Sequence, residues 1–204
     1  PVLTVPGAPT ALAATRGDTT VALTWSAPAS DGGSSVTDYA IHSSTDTFAA
    51  DDQTFADGVG TTLSATVTGL TNGISYSFQV HAVNGVGTST ASVAVSGTPA
   101  GAPPAITNLD ATAVTETSAT LVWTAPSANG AAISGYQLLY SIDAFTLSTS
   151  TASGTIDPVG TTVTGLSDAT SYTFKVFATN AVGQSAASNL LATTTLSSAP
   201  PPLF

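Results

Sequence analysis

Val21, Leu23 and Trp25 alternate along the chain with Ala22, Thr24 and Ser26, and Tyr76, Phe78, Val80 and Ala82 alternate with Ser77, Gln79 and His81. An apolar period of two predicts half-buried strands, because successive side chains leave a pleated backbone on opposite faces. The 3.6-residue period of an amphipathic helix is sustained nowhere. Turn-forming clusters interrupt the apolar runs: Ser30-Asp31-Gly32-Gly33, Thr71-Asn72-Gly73, Ala128-Asn129-Gly130 and Ser167-Asp168. Short strands separated in this way predict an all-β chain.

The pattern occurs twice. Leu23-Thr24-Trp25-Ser26-Ala27-Pro28 returns 98 residues later as Leu121-Val122-Trp123-Thr124-Ala125-Pro126. Gly69-Leu70 with Tyr76, Phe78, Val80, Asn84 and Gly87 returns 96 residues later as Gly165-Leu166 with Tyr172, Phe174, Val176, Asn180 and Gly183. Prolines at 6, 103 and 200 extend the frame at intervals of 97. A fixed period of this length signals tandem domains.

Each copy resembles a fibronectin type III domain. The likeness rests on a proline-led start, a Trp followed by Ala-Pro (Trp25, Trp123), an aromatic on the third strand (Tyr39, Tyr136), Gly-Leu with a Tyr six residues after the Leu, and Tyr-x-Phe-x-Val-x-Ala-x-Asn-x-x-Gly. The resemblance implies two tandem immunoglobulin-like β-sandwiches of seven strands each. It also implies a buried Trp on each second strand, and a tyrosine corner in which the rings of Tyr76 and Tyr172 are buried and their hydroxyls bond to backbone near Leu70 and Leu166. On this frame residues 1–5 are the tail of a preceding repeat or a linker, 6–99 the first domain, 100–103 a short proline-rich linker, 104–197 the second domain, and 198–204 a linker or the start of a further repeat.

Composition narrows the function. Of 204 residues 42% are hydrophobic, enough for globular cores. Twelve carboxylates face only Arg16 and Lys175, giving a formal charge of −10. Such a surface offers nothing to neutralise phosphate, so nucleic acid is not an expected partner. No apolar run approaches the roughly 20 residues that span a bilayer, so membrane insertion is not expected. Cysteine is absent, which removes disulfides and thiolate metal sites.

Candidate chemistry is sparse. Arg16-Gly17-Asp18 is a cell-attachment tripeptide that some domains of this family carry after the sixth strand, but here it falls in the turn between the first and second strands, where function is not expected. Asp51, Asp52 and Asp57 form a weak calcium candidate whose spacing departs from a cation-binding loop. His42 and His81 have outward parity, as does Asp38, which could pair with one of them; a solvated strand face otherwise supplies few of the fixed partners that a base or ligand needs. Leu139 and Phe177 have outward parity in the second copy and mark a possible interface. No nucleophile elbow, phosphate loop or dinucleotide fingerprint is present.

The expectation is a non-catalytic module without cofactor: a spacer or adhesive stalk segment of an extracellular, secreted or cell-surface repeat protein, bacterial by composition. Its expected partners are other domains of the same array, with a protein or carbohydrate ligand at the cell surface as a further candidate. Two alternatives stand beside it: accessory linker domains of a secreted polysaccharide-degrading enzyme, and a filament or sheath subunit joined through sandwich edges or terminal strands such as Val2-Leu3-Thr4-Val5.

Overall fold

The structure is a computed structural model that describes residues 2–56, 59–152, 156, 158 and 160–198. It divides into two compact units, Pro1–Gly101 and Ala102–Phe204.

In the first unit the strands are β1 (Thr10–Arg16), β2 (Val21–Ser26), β3 (Val36–Ser44), β4 (Gln53–Phe55), β5 (Ser64–Val67), β6 (Tyr76–Asn84) and β7 (Val95–Gly97). They form a three-stranded sheet in the order β1-β2-β5 and a four-stranded sheet in the order β4-β3-β6-β7. In the second unit β8 (Asp110–Val114), β9 (Ser118–Val122), β10 (Ile133–Ser141), β11 (Ser150–Thr151), β12 (Thr161–Thr164), β13 (Ser171–Asn180) and β14 (Leu191–Thr194) repeat the arrangement. Their sheets are ordered β12-β9-β8 and β11-β10-β13-β14. All pairings between these strands are antiparallel.

The alternating apolar positions become the cores. Val21, Leu23, Ile41, Phe78, Val80 and Ala82 are fully buried in the first unit, as are Leu121, Leu138, Phe174, Val176 and Ala178 in the second. Trp25 packs edge-on against Tyr39 with ring centroids 5.4 Å apart, and Trp123 does the same against Tyr136 at 5.4 Å. Trp25 lies within β2, whereas Trp123 stands one residue beyond the end of β9.

The Gly-Leu-Tyr motif has a common geometry in both copies. Gly69 and Gly165 adopt φ of +74° and +75°, a left-handed conformation that disfavours a side chain. The next residue then returns its amide to the loop between the first two strands: Leu70 N–H to Thr19 O and Leu166 N–H to Thr117 O, both 3.0 Å. Tyr76 Oη accepts from the Thr71 amide at 3.1 Å, and Tyr172 Oη from the Ser167 amide at 2.9 Å.

The two corners differ in burial. Tyr172 is buried, but Tyr76 is only half-buried, against the expectation for both. Tyr140 packs edge-on against Tyr172 at 6.0 Å in the second unit, opposite Phe174 in register. The corresponding position opposite Phe78 is Ser43, too short to cover a ring.

The segments flanking the strands are drawn into the units. Thr4 N–H and Gly7 N–H donate to Gly32 O and Ser30 O, both at 2.9 Å, so the stretch read as a preceding tail runs along a loop of the first unit. Ala100 is buried and donates to Gly17 O at 3.0 Å, while Ala102 O accepts from Asn129 Nδ2 at 2.7 Å within the second unit. The expected further copy near Pro200 lies outside the described residues.

Candidate functional site

The outer face of the four-stranded sheet carries different chemistry in the two units. On β3 and β6 of the first, His42 stands opposite Gln79 and His81 opposite Ala40. The two imidazoles are therefore diagonal neighbours, with ring centroids 4.8 Å apart and planes at 55°. His42 Nδ1 lies 2.8 Å from Asp52 Oδ1, and His81 Nδ1 lies 3.0 Å from the Ser89 carbonyl oxygen.

Two expectations are corrected here. Asp38 does not pair with either histidine; its carboxylate accepts from the Gly60 amide at 2.9 Å. Nor is the face short of fixed partners. The pairing of Ile41, His42 and Ser43 with Phe55, Thr54 and Gln53 brings the segment that begins β4 alongside β3, and Asp52 immediately precedes it. The His42 side chain is only 25% exposed as a result.

In the second unit the corresponding pair is Leu139 and Phe177, opposite Lys175 and Gln137. Both are half-buried. The Lys175 ammonium lies 3.9 Å from the Phe145 ring centroid and 5.8 Å from that of Phe177, so one of the chain's two basic side chains covers this apolar patch by cation–π contact.

The loop after the third strand is built around an aspartate that the sequence reading passed over. Asp46 accepts from Ser44 Oγ at 2.7 Å and from the amides of Ala49, Ala50 and Asp51. Asp143 accepts from Ser141 Oγ at 2.5 Å and from the amides of Leu147 and Ser148. These bonds hold two consecutive residues at positive φ in each loop, Thr47-Phe48 and Ala144-Phe145. The repeated Ser-x-Asp-x-Phe was the available signal.

The hydrogen bond from Ser44 first, then those from the loop amides, holds the Asp46 carboxyl below the usual range; Ser141 leads the same effect on Asp143. A carboxyl lowered on folding contributes stability that is present above its unfolded value of about 3.9 and is lost as pH falls through the lower folded value. Asp143→Asn is therefore expected to lower the urea midpoint at pH 7, with the gap to the parent closing below about pH 4. A gap independent of pH would show that the charged form is not what the loop recognises.

Asp51 and Asp52, two of the calcium candidates, turn to different partners. Asp51 accepts from Thr45 and Gln53, and Asp52 is engaged by His42. Asp57 lies outside the described residues. Among the described residues no cluster of three acidic or metal-ligating side chains converges.

The tripeptide is built into its turn. Arg16 ends β1, Gly17 N–H donates to Thr20 O at 2.8 Å, and Asp18 Oδ1 accepts from Asn72 Nδ2 at 2.7 Å. Its aspartate is thus a bridge to the loop before β6. A comparable device was missed at Asn84 and Asn180, whose amides tie the loop after the sixth strand to the loop before the third.

A depression of about 320 Å³ beside Ile106, Asn108, Thr124 and Pro126 is lined by no titratable side chain.

Two sheets of three and four antiparallel strands, closed over a Trp and an aromatic corner, define an immunoglobulin-like sandwich. Both units match the fibronectin type III domain family, over residues 7–98 and 102–194, and the chain belongs to that family. Chitinase A1 of Niallia circulans is 39% identical over 145 residues, which is 67% of this chain and 19% of that protein. The chain thus spans about a fifth of that relative's length. The crystal structure of chicken CNTN1 FN1-FN3 domains aligns with 94% of this chain and 67% of that one, at 24% identity and a TM-score of 0.48.

Proposed function

We propose that the two domains are a non-catalytic spacer within a longer extracellular protein. The observation that carries this reading is how the polar side chains are used. Asp18, Asp46, Asp143, Asn84 and Asn180 all brace loops of their own unit. A catalytic group needs a cleft and a partner poised for a substrate, and neither the depression beside Ile106 nor the one of about 270 Å³ beside Tyr140 and Tyr172 is lined by a carboxylate or an imidazole.

The setting favoured by a specific observation is a secreted polysaccharide-degrading enzyme, in which these residues separate functional domains. The 39% identity to part of Chitinase A1 supports it. The filament alternative is less well supported, because Thr4 in the terminal segment already donates to Gly32 and is not a free strand to lend.

The test uses the purified 204-residue chain with colloidal chitin. No sugar release is expected, and the protein should stay in the supernatant. In the full-length protein, replacing the segment by a glycine-serine chain of equal length should lower activity on insoluble polysaccharide while sparing soluble oligosaccharide. Hydrolysis by the isolated chain would overturn the non-catalytic reading, and retention on chitin would replace a spacer with a binding module.

A further inference from the structure

We propose that His42 and His81 form a binding site for one divalent transition-metal ion on the outer face of the first domain, with Nε2 of each imidazole as ligand and water at the remaining positions.

The tautomers follow from the partners. A carboxylate and a backbone carbonyl only accept hydrogen bonds, so the neutral rings must donate from Nδ1 to Asp52 and to Ser89 O, which leaves the lone pair on Nε2 in both. This is the outer-shell arrangement by which metal-bound histidines are fixed and made more basic.

Topology sets the direction. Asp52 lies on the β4 side of β3, and Ser89, whose amide donates to Ala82 O, lies beyond β6 on the opposite side. The two Nδ1 atoms are held outward, away from each other, and the opposite ring edges face the gap between β3 and β6. An ion about 2.0–2.1 Å from each Nε2 sits about 3.2 Å from each ring centroid, so angles of about 90–110° at the metal require centroids about 4.5–5.2 Å apart. The observed separation is 4.8 Å.

Two imidazoles and no thiolate or convergent carboxylates select a class of ion. Nitrogen donors suit Cu²⁺, Ni²⁺ and Zn²⁺, with Cu²⁺ bound most tightly, and are poor ligands for Ca²⁺ or Mg²⁺. The second domain is the internal control, since Leu139 and Phe177 occupy the same face.

The experiment is calorimetric titration of the 204-residue chain with CuCl2, NiCl2, ZnCl2 and CaCl2 in a non-coordinating buffer at neutral pH. One Cu²⁺ per chain is expected, with weaker Ni²⁺ and Zn²⁺ and no Ca²⁺. His42→Gln and His81→Gln should each weaken Cu²⁺ binding at least about tenfold, and Asp52→Asn by about 10-fold through loss of the orienting contact. Because the ion links β3 to β6, it should also raise the thermal midpoint of the parent and not of the histidine variants. Circular dichroism of the variants, altered at partly exposed positions, checks that they fold. Unchanged affinity in either histidine variant, binding of Ca²⁺ as tight as that of Cu²⁺, or absence of Cu²⁺ binding would overturn the site. None of these outcomes bears on sugar release or retention on chitin.

Discussion

Replacing Trp25 by alanine is expected to destabilise the first domain by about 3–5 kcal/mol, and Trp123→Ala to do the same to the second. Domains of this size hold about 5–15 kcal/mol in total, so either change brings its domain close to unfolding. Each indole lies in its own cluster: Trp25 with Val21, Leu23, Ile41, Phe78 and Val80, and Trp123 with Leu121, Leu138, Phe174 and Val176. Phenylalanine in place of either Trp separates two contributions. Neither buried indole Nε1 has an oxygen or nitrogen acceptor, and an unsatisfied donor costs about 1–3 kcal/mol. Trp25→Phe removes that cost along with part of the ring area, so its loss should be less than half that of Trp25→Ala. Urea denaturation followed by amide exchange at Ile41 and Val80 measures both variants. Equal losses for Phe and Ala would refute this division, because the phenyl ring keeps much of the buried area and the aromatic neighbour of Tyr39 that alanine removes.

Asn84→Ala and Asn180→Ala are expected to cost about 2–4 kcal/mol each, at about 1 kcal/mol for every hydrogen bond lost or partner left dry. Asn84 Nδ2 donates to Thr4 O and Asp31 O, both at 2.8 Å, while its Oδ1 accepts from the amides of Val86 and Gly87 at 2.9 and 3.1 Å. Asn180 repeats the pattern with Ala128 O and Ala131 O on one side and Val182 and Gly183 on the other. Both are buried, and water can replace only part of what is removed. The aspartate variants distinguish this network from simple packing. Asp keeps the shape and the acceptor but turns a carboxylate oxygen toward two carbonyls, so Asn84→Asp should destabilise at neutral pH at least as much as alanine does. Urea midpoints decide it, and an Asp variant as stable as the parent would refute the donor role of Nδ2.

The asparagine shows how the sequence and the structure divide the work. Its place in Tyr-x-Phe-x-Val-x-Ala-x-Asn-x-x-Gly, twice at one offset, was plain from the chain. The carbonyls that it reaches lie 53 and 80 residues away, and no local pattern names them.

Local rules were enough for the rest of the frame. Period-two alternation identified Val21-to-Trp25 and Tyr76-to-Ala82 as strands and chose their inward faces, because pleating alone fixes which side chains share a side. The repeat gave two domains, and a left-handed glycine before Leu70 and Leu166 explains the Gly-Leu of the corner. Parity also placed His42, His81, Leu139 and Phe177 outward. It went no further, for a physical reason: sliding β3 past β6 by two residues preserves every inward and outward assignment but changes every cross-strand neighbour. Only the folded register sets His42 diagonal to His81, supplies Asp52 in place of Asp38, and leaves Tyr76 half-covered by placing Ser43, rather than a second tyrosine, beside its strand.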